Sequence, residues 1–291
     1  MAIAKIASYP MPADVPTNRV SWHFTPSRAA LLVHDMQDYF VDFYDRAAAP
    51  VPTLLLHVRR LIDFAHAAGM PVYYTAQSPE QTPAARALLT DLWGPGLTAR
   101  PSRAAICDAL ASSAGDTVLD KRRYSAFQRS DFEARLRGQR RDQLAICGVY
   151  AHIGCLMTAC DAFMRDIEPF FVADALADFS EREHRMALDY VAGRCGKVLT
   201  TAEIVGAARA DPAAPTLAAI AAQVAHSLRM PAADLRASDN LIDCGLDSIR
   251  MMALAQTWRA AGHDVTFVEL AERPTLDAWA RLLRRPARAL A

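Results

Sequence analysis

The chain has 291 residues, 52% of them hydrophobic, and its 32 Lys plus Arg are matched by 32 Asp plus Glu. At about 150 residues per domain, that length implies roughly two domains, and the balanced charge disfavours a protein that grips nucleic acid electrostatically. No apolar run approaches the roughly 18 residues of a membrane-spanning helix, and the opening MAIAKIASYPMPADVP lacks the apolar centre of an export signal, so a cytoplasmic protein is expected. The six cysteines show neither a CxxC pair nor zinc spacing and read as reduced thiols. Only Lys5, Lys121 and Lys197 are lysines, against 29 arginines, so a lysine at an interior position draws notice.

From Arg28 to about Ala208, short apolar runs alternate with stretches whose apolar residues recur three and four apart. In chain order, the pattern predicts a strand at residues 29–34, a helix at 53–68, and strands at 71–75 and 117–120. A helix at 130–137, a strand at 143–149 and a helix at 155–165 follow, then a strand at 170–173, a helix at 181–192 and a strand at 197–200. Runs such as LAICGVY are apolar on both faces, as in a covered parallel sheet, so the expected class is doubly wound α/β. Residues 207–215, AARADPAAP, read as a linker, and helices are predicted at 216–230, 247–262 and 274–283 of a small all-α module. The expected domains are 1–208 and 216–288, joined by 209–215.

Polar residues follow the strands of the first domain: Asp35 and Gln37, Gln77, Lys121, and Tyr150 with His152. Ligands of doubly wound sheets gather at the carboxyl ends of strands, so these residues should converge. An acid and a lysine in one crevice tune each other's proton affinity and supply a proton donor; the same pair could also simply be a buried ion pair. His34 and His152 read as satisfied interior imidazoles.

The segments LLVHDMQDYF, VYYTAQ, LWGPGL, KRRYSAF, GVYAHIGC and FMRDIEPFFVADALADFS together resemble the isochorismatase-like, or cysteine hydrolase, superfamily across residues 1–208. The resemblance implies that Asp35 and Lys121 are catalytic and that Gln77, Arg86 and Tyr150 bind substrate, with backbone amides near Gly154 holding an oxygen or anion. Most relatives carry a nucleophilic cysteine at the position of Gly154, and here Cys155 lies one residue later. The metal-ligand pattern of nicotinamidases is not evident, so no metal is expected. An absent nucleophile suits isochorismate: protonation of its enolpyruvyl methylene carbon, with Asp35 as the acid, is followed by addition of water and release of pyruvate. A catalytically degenerate scaffold and a cysteine amidohydrolase using Cys155 remain as alternatives.

DNLIDCGLDSIRMM resembles the attachment site of carrier proteins, with 4'-phosphopantetheine on Ser248. The fusion resembles the bifunctional isochorismatase and aryl carrier proteins of catecholate siderophore assembly. Implied partners are a phosphopantetheinyl transferase, a 2,3-dihydroxybenzoate-AMP ligase and the condensation domain of a nonribosomal peptide synthetase; a homodimer is implied as well. Ile249, Met252 and Phe267 flank the arm and are the expected docking residues, with plain core as the other reading.

Overall fold

The computed structural model describes residues 3–12, 14–210, 215–260, 263 and 265–283. The chain forms two compact units, Met1–Ala208 and Arg209–Ala291.

The first unit is built on strands β1 (Ala29–His34), β2 (Val72–Ala76), β3 (Thr117–Asp120), β4 (Gln143–Val149), β5 (Glu168–Ala177) and β6 (Lys197–Leu199). They form one parallel sheet in the order β3-β2-β1-β4-β5-β6. Its helices are α1 (Asp38–Val41), α2 (Val51–Ala67), α3 (Pro83–Arg86), α4 (Leu88–Trp93), α5 (Phe132–Gly138), α6 (Leu156–Phe163), α7 (Glu181–Arg194) and α8 (Thr201–Ala210). Alternation along β1 divides the core. Leu31 and Val33 join α2 in one cluster, while Ala30 and Leu32 join α5, α6 and α7 in the other. Helix α2 buries Val51, Leu54, Val58, Leu61, Ile62 and Ala65, one apolar stripe at three- and four-residue spacing.

The doubly wound class expected from the pattern is the class found. The differences lie at element ends and in helices the pattern did not show. β5 runs four residues beyond the predicted end at residue 173, because Asp174 reads as a strand terminator yet is put to use. Its carboxylate accepts from the Thr201 amide (2.7 Å) and hydroxyl (2.8 Å) at the start of α8, and it faces His57 Nδ1 at 3.0 Å. Helices α1, α3, α4 and α8 were not predicted: the first three, of four to six residues, are too short to display a helical period, and α8 runs into the stretch read as a linker. Of the predicted linker, residues 211–214 lie outside the described residues, and its first part continues α8 as far as Ala210.

The strand order reverses between β1 and β4, and a crevice opens at their carboxyl ends. His34 there pairs with Gly148. Gly148 has φ +110°, and a Cβ on it would stand 2.8 Å from the His34 amide nitrogen and closer still to the His34 carbonyl oxygen. Only glycine lets the two strand ends close in this way.

The second unit consists of α9 (Leu217–Leu228), α10 (Ser248–Ala260), α11 (Phe267–Glu272) and α12 (Leu276–Leu283). Its core gathers Ile220, Val224, Leu246, Met251, Trp258 and Trp279, with the two indoles edge to face at 5.5 Å. Trp279 Nε1 donates to the Leu270 carbonyl at 3.0 Å, so its polar edge is satisfied. α11 was not predicted, although Thr266 and Glu269 form a capping box that the sequence displays.

Candidate active site

The pocket at the switch point is lined by Asp35, Gln77, Arg86, Lys121, Tyr150 and Gly154, together with Ile3, Tyr39, Trp93, Arg123, Phe179 and their neighbours. The structure therefore brings together Asp35, Gln77, Arg86, Lys121, Tyr150 and Gly154; of the strand-end residues expected to converge with them, Gln37 and His152 do not line the pocket.

Asp35 follows β1 in a left-handed conformation, φ +50°, which turns its side chain into the crevice. Its amide donates to Thr75 Oγ1 (3.0 Å), and the Thr75 hydroxyl donates to Asp35 Oδ1 (2.5 Å). Lys121 Nζ donates to Asp35 Oδ2 at 2.9 Å, and the two residues are only 4% and 5% exposed. Burial alone would raise the Asp35 carboxyl, but the Lys121 charge and the Thr75 and Lys121 hydrogen bonds outweigh it and hold the carboxyl below its ordinary value. The Asp35 carboxyl is thus held toward its anion beside Lys121 Nζ.

Gln37, flagged at the end of β1, is fully buried and does not line the pocket. It positions Gln77: its Oε1 accepts the Gln77 amide at 2.7 Å, and its Nε2 donates to the Gln77 carbonyl at 3.0 Å and the Ala104 carbonyl at 2.6 Å. Arg86 closes α3 as a buried guanidinium. Its Nη2 donates to the Gly94 carbonyl at 3.1 Å, while its Nε has no hydrogen-bond partner. Burial lowers its proton affinity only from the usual arginine range, so it stays charged. A buried, incompletely partnered cation suits a substrate carboxylate. Tyr150 presents its ring to the pocket, its hydroxyl donating to the Phe40 carbonyl at 2.8 Å.

Gly154 sits in the wide turn Ala151–Cys155 that leads into α6. The amide of Cys155 bonds Tyr150 O at 3.3 Å, that of Ile153 bonds the same oxygen at 3.2 Å, and that of His152 bonds Asp178 Oδ2 at 2.6 Å. Of the amides expected to be free near Gly154, those of His152, Ile153 and Cys155 are thus already committed. Sequence reasoning missed Asp178. Fully buried at the end of β5, it holds His152 through both its amide and Nδ1 (2.5 Å) and accepts the Phe179 amide at 2.8 Å. The flanking backbone is tied in turn: Tyr9 Oη accepts the Asp178 amide at 2.7 Å, and Tyr44 donates to the Asp178 carbonyl at 3.0 Å.

Cys155 is fully buried outside the pocket lining, and burial pushes its thiol well above the ordinary value. It is a poor nucleophile there. Cys155→Ala should therefore retain at least about a tenth of the wild-type rate of the pocket's reaction, since general acid–base residues are worth about 10²–10⁴-fold. A hundredfold loss in a variant of unchanged melting temperature would restore the thiol to the chemistry.

Two buried imidazoles make stability depend on pH. Burial pushes both His34 and His184 down from 6.5 to about 4. Folded-state values below the unfolded ones mean that stability is complete above about pH 6.5 and is lost as pH falls toward 4, each residue contributing on the order of 3 kcal/mol at most. The melting temperature should fall across that window, and His184→Gln should shallow the fall; parallel curves for variant and wild type would contradict this.

In the second unit Ser248 is the exposed first residue of α10, and Asp247 Oδ1 accepts the Arg250 amide at 2.8 Å as the helix cap. Ile249 and Met252 are 75% and 48% exposed and so are not core. Phe267 differs: it is half-buried and packs against the core, while its neighbour Val268 is exposed, as is Ile242 before the serine. Among the described residues, no cluster of three or more His, Cys, Asp and Glu could hold a metal ion, and no helix is long and apolar enough to cross a membrane.

Residues 29–203 match the family model of the isochorismatase domain, and residues 218–283 match that of the phosphopantetheine attachment site. Over 287 residues the chain is 51% identical to enterobactin synthase component B of Escherichia coli K12, covering 98% of this chain and 99% of that protein. It is 47% identical over 298 residues to an isochorismatase of Bacillus subtilis, covering 97% and 96%. Among solved structures, a cysteine hydrolase from Pseudomonas syringae superposes with a TM-score of 0.58 at 25% identity, over 65% of this chain and 95% of that one.

Proposed function

Because the chain belongs to the isochorismatase family and carries a phosphopantetheine attachment domain, we propose that it hydrolyses isochorismate to pyruvate and 2,3-dihydro-2,3-dihydroxybenzoate and carries an aryl thioester for siderophore assembly. The observation that carries the hydrolase reading is the buried Asp35–Lys121 pair in a pocket where Arg86, Lys121 and Arg123 outnumber the single carboxylate. Such a pocket suits a small dianion.

In this reading Arg86, Gln77 and Lys121 hold the two substrate carboxylates, and the rings of Tyr150 and Phe179 wall the pocket. The entering dianion draws on the Lys121 charge that otherwise keeps Asp35 ionised, and its own negative charge raises the proton affinity of Asp35. Protonated Asp35 donates to the terminal methylene carbon, and the vinyl ether becomes an oxocarbenium ion. Water adds to that ion and gives up a proton, which restores the acid. The resulting hemiketal collapses to pyruvate and the diol. Water is the only co-reactant, and the bare backbone at Gly154 leaves room for substrate without a covalent intermediate. Intact Asp35 and Lys121 speak against a degenerate scaffold, and the buried Cys155 speaks against an amidohydrolase.

The same reading divides the chain into a hydrolase domain, residues 1–208, a linker, 209–215, and an aryl carrier domain, 216–288, whose residues 284–288 lie outside the described residues. Exposed Ser248 beside its capped helix start fits the attachment of 4'-phosphopantetheine, whose terminal thiol supplies the thioester linkage when the group is bound. Ile249 and Met252, with Phe267 at their edge, are the surface offered to the ligase and the condensation domain; the transferase would read Ser248 and Asp247. Reduced thiols suit a cytoplasmic setting, and a homodimer is the assembly this reading favours.

The test is a pair of assays on the full chain. Isochorismate should yield pyruvate, and incubation with coenzyme A and a phosphopantetheinyl transferase should add one arm to the intact mass. No pyruvate above the uncatalysed rate would overturn the hydrolase half, and an unchanged mass would overturn the carrier half.

A further inference from the structure

His34 lies directly beneath the pocket floor. Its ring is fully buried, and its Nδ1–H donates to the Val149 carbonyl at 2.9 Å. On one side Nδ1 is 3.7 Å from Asp35 Oδ2, and on the other the ring packs against the backbone of Gly154. A Cβ on Gly154 would stand 2.8 Å from His34 Nε2, 3.1 Å from Nδ1 and closer still to Cε1. Contacts that short are not tolerated. Relief by movement of the imidazole is blocked, since it is pinned by the Val149 hydrogen bond and by the register that pairs His34 with Gly148.

We propose that His34 is a specificity-determining residue that acts through Gly154: its ring fills the space any side chain at position 154 would need, so the floor of the pocket stays bare and that position cannot carry a nucleophile. Two residues 120 positions apart thereby form one unit, and the site is reserved for substrates that need a proton donor and no covalent attachment. The isochorismatase turn is not simply missing a side chain at this place. The space is already occupied from beneath.

This inference deepens the proposed function and rests on it for what the pocket takes, but it can be tested without turnover. The probe is a thiol introduced by Gly154→Cys in the full chain, with His34 retained or replaced by Ala or Ser, and read by iodoacetamide labelling with tandem mass spectrometry that separates position 154 from Cys155. With His34 present, the variant should fail to fold, or should fold with a thiol that labels at least tenfold more slowly than in a His34→Ala or His34→Ser background. At least one double variant should fold and label. The proposal is overturned if Gly154→Cys alone keeps the wild-type melting temperature and labels as fast as the double variants. It is equally overturned if neither ring replacement yields a folded protein with a reactive thiol. Labelling as expected in a chain that releases no pyruvate would leave the inference standing and count against the hydrolase reading alone.

Discussion

Asp35→Asn is expected to lower pyruvate release by about 10²–10⁴-fold, the usual worth of a general acid. The amide is nearly isosteric, but it leaves the buried Lys121 ammonium unpaired, and breaking a buried pair from one side costs up to about 3–5 kcal/mol. A loss of activity could then be blamed on unfolding. Lys121→Met in the same chain tests the stability part alone, since Lys121 itself belongs to the site: replacing both partners with neutral groups of similar size is often neutral for stability or better. The Asp35→Asn/Lys121→Met double variant should therefore recover most of the lost melting temperature while staying inactive. Recovery of turnover with stability would remove Asp35 from its role as acid.

Ser248→Ala is expected to abolish arm attachment and leave both pyruvate release and the melting temperature unchanged. The helix cap at this site is Asp247, whose carboxylate accepts the Arg250 amide, so Ser248 is not needed to start α10, and alanine is a good first-turn residue. Vinyl ether hydrolysis also requires no thioester. Intact-mass measurement after transferase treatment and the pyruvate assay decide the matter together. An arm found on the Ala variant would place attachment at another residue, and a fall in pyruvate release would mean that the two activities are coupled.

Much of this site was legible in the sequence because its residues sit at predictable places. Asp35, Gln77, Lys121 and Tyr150 each follow an apolar run that reads as a strand, and parallel strands deliver their ends to one edge. Arg86 was harder to place. On a helix face an arginine is ordinarily solvated, and α3 is too short for periodicity to show that its last residue turns inward. His34 and Gln37 have roles that only the third dimension reveals. A buried imidazole looks the same in a sequence whether it merely satisfies itself or blocks a position 120 residues away, and Gln37 acts on Gln77 across two strand ends. Asp178 ties together the turn that carries Gly154 through contacts with residues from distant segments, none at a spacing that marks it. In the carrier unit, Phe267 opens a six-residue helix too short to show a period, and it packs half-buried against the core.

The central claim, that the pocket protonates carbon and uses no covalent intermediate, has a direct isotopic test. Isochorismate is turned over by the full chain in deuterium oxide, with the pyruvate methyl group and the intact mass of the enzyme both measured during turnover. One deuterium in each pyruvate methyl, with no adduct on the enzyme, is the predicted result. Unlabelled pyruvate, or a pyruvyl or dihydrodiol adduct on the enzyme, would contradict it.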